Sequence, residues 1–181
     1  MKIISGFLKG RKISGYEIVG TRPTMDRVKE SLFAIIQNDI KDKIVLDLFA
    51  GTGNLGFEAI SNGAKICYFN DINSKCVLNI KRLIEEFHIN EQAEVMNLDY
   101  KKALDKFKEK NISFDIIFLD PPYSNKNENN IIMYIKENDL LKVNGIIVCE
   151  VDDLYLNINC YKKIKEKKYG DKYIVIYKYE K

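Results

Sequence analysis

The residues best able to do chemistry lie in one decapeptide, Phe114-Asp115-Ile116-Ile117-Phe118-Leu119-Asp120-Pro121-Pro122-Tyr123. An apolar run ends in Asp120-Pro121-Pro122-Tyr123. The paired prolines fix the backbone as it leaves that run and carry no N–H, so their carbonyls remain as acceptors. A carboxylate beside a carbonyl suits an amine whose lone pair is delocalised into a ring, such as the exocyclic amine of a nucleic-acid base. Asp120 and the Pro121 carbonyl would accept its two hydrogens, favour the pyramidal nitrogen of a transition state and aim the lone pair at an electrophilic carbon. Tyr123 offers a ring on which the base can stack. No covalent intermediate and no metal is needed.

A second constellation lies upstream. Gly51-Thr52-Gly53-Asn54-Leu55-Gly56 is literally G-x-G-x-x-G, between an expected strand and an expected helix, and Asp71 follows about twenty residues on. That is the dinucleotide fingerprint in form, so a nicotinamide-dependent dehydrogenase has to be weighed. Charge argues against it. Asp47, in Val45-Leu46-Asp47-Leu48-Phe49-Ala50, stands just before the glycines. A pyrophosphate docked at the turn would meet that carboxylate at close range. S-adenosyl-L-methionine has no phosphate; it carries an ammonium, a sulfonium and one carboxylate. Asp47 can order the turn and face the cationic end, the glycines admit the methionyl part, Asp71 can take the ribose hydroxyls, and Asp99 can accept from the adenine amine. Phe49, Ala50, Gly51, Thr52, Gly53 and Tyr100 complete the expected cofactor set.

These residues must be positioned by a strand–helix alternation. Apolar runs at Ile44–Phe49, Lys65–Asn70, Glu94–Leu98, Asp115–Leu119 and Gly145–Val151 read as strands. Helical spacing covers Ser74–Phe87, Lys101–Lys110 and Ile131–Leu141, and a helix leaves the glycine turn through Asn62. The pattern predicts an α/β fold with a mostly parallel seven-stranded sheet. Lys162–Lys168 and Tyr173–Tyr179, with no helix between them, predict an antiparallel edge hairpin. Residues 2–20 read as an N-terminal β-hairpin, and Thr24 as the N-cap of a first helix carrying Val28, Leu32, Ile35 and Ile36. The whole is one domain, residues 1–181, with an extension over 1–23 and a catalytic core over 24–181. The polar stretch 124–130 reads as a loop.

Composition narrows the classes. The 181 residues are 46% hydrophobic, enough for one core, and no run is long enough to span a bilayer. No signal-peptide pattern opens the chain; a cytoplasmic protein acting as a monomer is expected. The four cysteines form no C-x-x-C pair and His88 is the only histidine, which disfavours a zinc site and a histidine-based triad. Cys67 and Cys149, in apolar runs, read as buried thiols. Net charge is +3, yet residues 1–30 carry +4, residues 161–181 carry +5 and the centre −6. Three of the four arginines, Arg11, Arg22 and Arg27, fall in the first thirty residues and suit phosphate. Lys9, Arg11, Lys12, Arg22 and Arg27, with the neighbouring Thr24, are the expected nucleic-acid contacts, while the C-terminal lysines read as a solvated surface.

The chain resembles the class I Rossmann-like methyltransferases with a D-P-P-Y motif. Within them it is similar to the RsmD type, the bacterial 16S rRNA guanine-N2 methyltransferases. The resemblance rests on Ile3-Ile4-Ser5-Gly6 with Lys9-Gly10-Arg11, Thr21–Phe33, Asp47–Gly56, Glu58-Ala59 with Gly63-Ala64, Phe114–Tyr123 and Tyr169-Gly170-Asp171. It implies S-adenosyl-L-methionine as methyl donor and a guanine of 16S rRNA, in an assembling small ribosomal subunit, as target. It also implies that Arg22, Pro23 and Thr24 border the cleft. Asn54 stands where the family has a small apolar residue, Asn62 where it has an arginine, and no proline precedes Thr21. A DNA adenine or cytosine N-methyltransferase would share the tetrapeptide but need a recognition domain for which this chain has no room. Protein-glutamine methyltransferases use Asn in place of Asp120, and a non-catalytic RNA-binding module would not need the tetrapeptide.

Overall fold

Short apolar runs pair into one seven-stranded sheet in the order β3-β2-β1-β4-β5-β7-β6. The computed structural model describes residues 1–14, 24–121, 127–151, 158–170 and 172–180, without the side chains of Thr24, Met25 and Asp26. The strands are β1 (Ile44–Asp47), β2 (Ile66–Asn70), β3 (Ala93–Met96), β4 (Phe114–Leu119), β5 (Leu141–Val151), β6 (Lys162–Tyr169) and β7 (Lys172–Lys178). The first five run parallel; β7 is antiparallel to both β5 and β6. The helices are α1 (Thr24–Ile36), α2 (Asn54–Ser61), α3 (Ser74–Phe87), α4 (Tyr100–Glu109) and α5 (Glu128–Glu137). This is the expected Rossmann-like plan, a mostly parallel sheet closed by an edge hairpin.

Alternation along the strands builds two cores. Val45, Ile116 and Phe118 face α1, α2 and α3, whereas Leu46, Ile117 and Leu119 face α4 and α5. Both faces of the central strands are dry, which explains why β4 reads as an unbroken apolar run.

Four helices stop by the same device. Gly63, His88, Asn111 and Asp139 follow α2, α3, α4 and α5 at positive φ. In each case the residue after the stop donates its N–H back to the carbonyl five residues earlier: Ala64 to Ala59, Ile89 to Ile84, Ile112 to Phe107 and Leu140 to Ile135. Asn, Asp and His tolerate the left-handed region better than most side chains. The single histidine is thus a helix stop. The same device corrects the expected limits of α5, 131–141. Asp139 ends the helix at Glu137, which releases Leu141 to begin β5, four residues before the expected start at Gly145. At its other end α5 takes in Glu128, Asn129 and Asn130, residues expected in a loop, because the Asn127 carbonyl accepts the Ile131 N–H at 3.0 Å.

The N-terminal residues form a narrower hairpin than expected. One antiparallel bridge joins Lys2 and Lys12, with Ile3 N–H bonded to the Arg11 carbonyl and Ile13 N–H to that of Met1. The expected continuation through residue 20 lies outside the described residues. This arm covers α2, whose residues are all buried except Leu55. An outer helix face needs polar residues for water; under the arm it needs them for the arm's backbone. Glu58, fully buried, accepts from the Ile4 and Ser5 N–H groups at 3.0 and 2.8 Å. Its charge is matched by Lys29 at 3.0 Å. The Lys29 ammonium also donates to the Lys2 carbonyl and to Asn54 Oδ1, each at 2.7 Å, so all three of its protons are used.

A buried charge that loses its partner is strongly destabilising, whereas removing both charges is less so. Lys29→Met should therefore cost about 3–5 kcal/mol. Lys29→Met combined with Glu58→Gln should recover part of that loss. Urea unfolding of the two variants checks this; equal stabilities would show that the burial of charge does not set the cost.

Candidate active site

Three parallel strand ends and their loops are tied into one edge. The Gly51 N–H donates to Asp71 Oδ2 at 2.7 Å, and the Gly56 N–H donates to Asp47 Oδ2 at 3.0 Å. The glycine turn is thus held at both ends by carboxylates from β1 and the end of β2. Two glycines are required here by shape. Gly53 sits at φ 78°, and a Cβ on Gly56 would fall 2.2 Å from the Phe69 ring. The second contact lets α2 lie close on β2 and fixes where its N-terminus points.

Asp71 holds more than the turn. Its other oxygen accepts from the Asn73 N–H at 2.8 Å, starting the loop into α3. A carboxylate has about four lone-pair sites, so acceptor capacity remains for ligand hydroxyls. Asp99 caps α4, accepting from the Lys101 N–H at 2.9 Å through one oxygen. Phe49 and Tyr100 meet with ring centroids 5.6 Å apart, closing the gap between the β1 and β3 ends. Ala50 N–H donates to the Asn70 carbonyl at 2.9 Å, and Gly53 N–H to that of Ala50 at 2.6 Å. Thr52 is buried in the turn. Asp47, Phe49, Ala50, Gly51, Thr52, Gly53, Asp71, Asp99 and Tyr100 therefore share one edge.

Asp47 differs from its expected role in one respect. It is only 3% exposed, so it acts on the turn through Gly56 rather than as an open face for a cation. Burial raises its pKa to about 7, the Gly56 N–H opposes the rise, and the Asp71 charge adds to it.

Asp120 and Pro121, which begin the tetrapeptide, stand beside this turn. β4 pairs with β1 in parallel, Asp47 opposite Phe118, and the Leu48 N–H reaches the Phe118 carbonyl at 3.3 Å. Asp120 follows directly, half-buried, one strand spacing of roughly 4.8 Å from the chain that leads into the glycines. Pro121 is buried; Pro122 and Tyr123 lie outside the described residues.

The expected RNA contacts are spread more widely. Arg27 is exposed on the first turn of α1. Thr24 opens that helix, its side chain outside the description, and Arg22 lies outside the described residues. Lys9 and Arg11 are exposed on a turn held by Ser61, where the Phe7 N–H meets the Ser61 carbonyl at 2.9 Å. Ser61 ends α2, so this turn is separated from the glycines by a helix of eight residues, about 12 Å. Lys12 is exposed nearer the Lys29 junction.

A family model described as Conserved hypothetical protein 95 matches residues 1–178. The chain belongs to this family. Among its relatives is YlbH of Bacillus subtilis, a candidate rRNA methyltransferase, 35% identical over 98% of either chain. Ribosomal RNA small subunit methyltransferase D of Haemophilus influenzae is 37% identical, covering 84% of this chain and 79% of its own. The solved structure of yhhF, a candidate methyltransferase from Escherichia coli, superposes with a TM-score of 0.88 at 28% identity, over 99% of this chain and 98% of that one.

The edge in this chain also uses residues that the sequence did not single out. Asn70 is 1% exposed and donates through Nδ2 to the Leu48 and Leu98 carbonyls, bridging the ends of β1 and β3. Its Oδ1, also buried, has no partner among the described residues, leaving an acceptor beneath the edge. Asn97 donates to the Asp71 and Ile72 carbonyls at 2.8 and 2.9 Å. Ile72, 72% exposed, offers an apolar surface next to Asp71. A polar residue ending an apolar strand was the available signal for Asn70. Cys67 and Cys149 are buried, as expected. Among the described residues no helix is long and apolar enough to cross a membrane, and no three His, Cys, Asp or Glu side chains group as a metal site.

Asp47 makes stability depend on pH. Its folded pKa, about 7, exceeds the ordinary value of 3.8. Between those values the folded state alone keeps the proton, so its stabilising contribution is present below pH 4 and lost as pH rises through 7. Asp47→Asn keeps an acceptor for Gly56 without the charge. The variant should melt above the wild type at pH 8, with a smaller difference at pH 5. Thermal scans of ligand-free protein at the two pH values check the sign.

Proposed function

We propose that this protein transfers a methyl group from S-adenosyl-L-methionine to the exocyclic N2 amine of a guanine in 16S rRNA, within an assembling small ribosomal subunit. The observation that carries the reading is the position of Asp120, at the end of β4 beside the glycine turn that β1 feeds. Relatives that are named small-subunit rRNA methyltransferases support the class of substrate. The guanine N2 position rests on the family resemblance.

The residues at the edge fit this cofactor. The carboxylates of Asp71 and Asp99 at successive strand ends, a buried acceptor on Asn70 without a partner among the described residues and an exposed Ile72 suit a ligand with positive charge, hydroxyls and an apolar ring. They would repel a pyrophosphate. When bound, the cofactor supplies an electrophilic methyl carbon. Asp71 and Asp99 would hold its adenosine and the glycine turn its methionyl part, with Asp47 keeping that turn in place through Gly56. Asp120 and the Pro121 carbonyl would accept the hydrogens of the target amine and orient its lone pair. Tyr123 would stack on the base, and Pro122 would keep the tetrapeptide rigid. Arg22, Thr24 and Arg27 would meet RNA beside the cleft, and Lys9, Arg11 and Lys12 at the more distant arm.

Calorimetry should show binding of S-adenosyl-L-homocysteine and none of NAD; tight NAD binding would sink the reading. Asp71→Ala should weaken that binding by roughly 1–3 kcal/mol. Asp120→Ala should leave it nearly unchanged while turnover on small-subunit rRNA falls by about 10² or more, the effect of losing one preorganised acceptor. Single-turnover methyl transfer, with mass spectrometry of the product nucleoside, reads both the rate and the base. Wild-type rates in Asp120→Ala, or a methyl group on another base, would each overturn part of the proposal.

A further inference from the structure

The two basic stretches at opposite ends of the sequence meet in the fold. β6 is the edge strand and carries Lys162, Lys163, Lys165, Lys167 and Lys168 in eight residues. Their side chains divide between the two faces. Lys165 lies opposite Ile176 and Lys167 opposite Ile174. Those isoleucines belong to the core beneath α1, with Leu32, Phe33 and Ile36. Lys165 and Lys167 therefore leave the sheet on the α1 side, at its rim. Lys167 Nζ donates to Ser31 Oγ on α1 at 3.1 Å, and the Tyr169 hydroxyl donates to the same oxygen. Arg27, exposed, is four residues before Ser31 and so one helical turn above it on the same stripe.

Carboxylates neutralise Lys162 and Lys163 of this strand but not these. Lys163 pairs with Glu166 at 2.6 Å and Lys162 with Glu180 at 3.1 Å. Among the described residues Lys165 and Lys167 have no carboxylate within ion-pair distance. Lys167 also lies 5.0 Å from the centroid of the Tyr169 ring, which holds the ammonium near Ser31. A strand edge that only discourages pairing with another chain needs charge. It does not need that charge held against the helix that carries Arg27.

Direction completes the argument. β6 is antiparallel to β7 and β7 to β5, so β6 runs parallel to β4. Its last residues reach the same edge as Asp120. Three strand steps separate β6 from β4, a lateral distance of roughly 14 Å at 4.8 Å per step. That places the lysines a few nucleotides from the target rather than on it. We propose that Arg27, Lys165 and Lys167 form a phosphate track for the RNA strand flanking the target base. The proposal rests on the reading of rRNA as substrate. It reassigns the C-terminal lysines, which the sequence alone reads as a solvated surface.

The test is RNA binding against salt, with methyl transfer in the same preparation. Lys165→Gln with Lys167→Gln should reduce the slope of log K against log salt by about 1.4, at roughly 0.7 per phosphate contact on a single strand. The KM for small-subunit rRNA should rise several-fold with kcat and S-adenosyl-L-homocysteine affinity unchanged. Lys165→Arg with Lys167→Arg should keep the wild-type slope. Lys106→Gln with Lys108→Gln, exposed on α4 over the opposite face, removes the same charge and should leave the slope unchanged. An unchanged slope in the β6 variant, or an equal fall in the α4 variant, overturns the track. If the wild type methylates rRNA in that experiment, the parent reading stands without it; if it methylates no rRNA, both fall.

Discussion

The glycine turn is bracketed by two carboxylates, and the edge of the sheet is organised around that bracket. Asp47 holds Gly56 and Asp71 holds Gly51, so the turn is clamped where it leaves β1 and where it becomes α2. Each clamp spends acceptor capacity that could have gone to a ligand. In return the backbone N–H groups and the N-terminus of α2 are fixed before anything binds. Preorganisation of this kind removes an ordering cost from the binding step. Its counterpart is a carboxyl group buried so deeply that its pKa rises to about 7.

The arm extends the same logic to the other side of α2. A helix that carries the cofactor turn is covered on its outer face by Ile3, Leu8 and Ile13, and its polar residues are satisfied by the arm. Lys29 joins the two, touching the arm at Lys2 and the head of α2 at Asn54. Asn54 and Asn62 lie in this network. Asn62 exchanges hydrogen bonds with Ser5 and Glu58.

Much of the plan was legible in the sequence because it depends on local periodicity. Strand and helix alternation, the ends of α3, and the tetrapeptide at the end of a central strand follow from spacing alone. The acids at the strand ends were legible because each interrupts or ends an apolar run. What was not legible depends on pairing across the fold. Lys29 and Glu58 each look like ordinary helix-surface charges until the arm covers them. Asp139 looks like an ordinary loop acid until its positive φ ends α5. Arg27 and Lys167 are 140 residues apart in the sequence, and Lys167 reaches Ser31, one turn along α1 from Arg27, only because α1 lies on the β5–β7–β6 side of the sheet. The distance of Lys9 and Arg11 from the turn likewise follows from where the arm docks, which no local pattern encodes.

The docking of the arm also bears on how the chain is made. Residues 3–8 leave the ribosome before their partners Glu58 and Ser61, which lie more than fifty residues later. At about 5–20 residues per second, Ile3 and Leu8 wait several seconds during synthesis with no core to enter. The β1 strand that precedes α2 cannot complete its own pairing until β4 has emerged. The arm therefore finds its place only after a later segment has formed its helix. Until it does, the outer face of α2 presents Glu58 to water, and the ammonium of Lys29 is still hydrated.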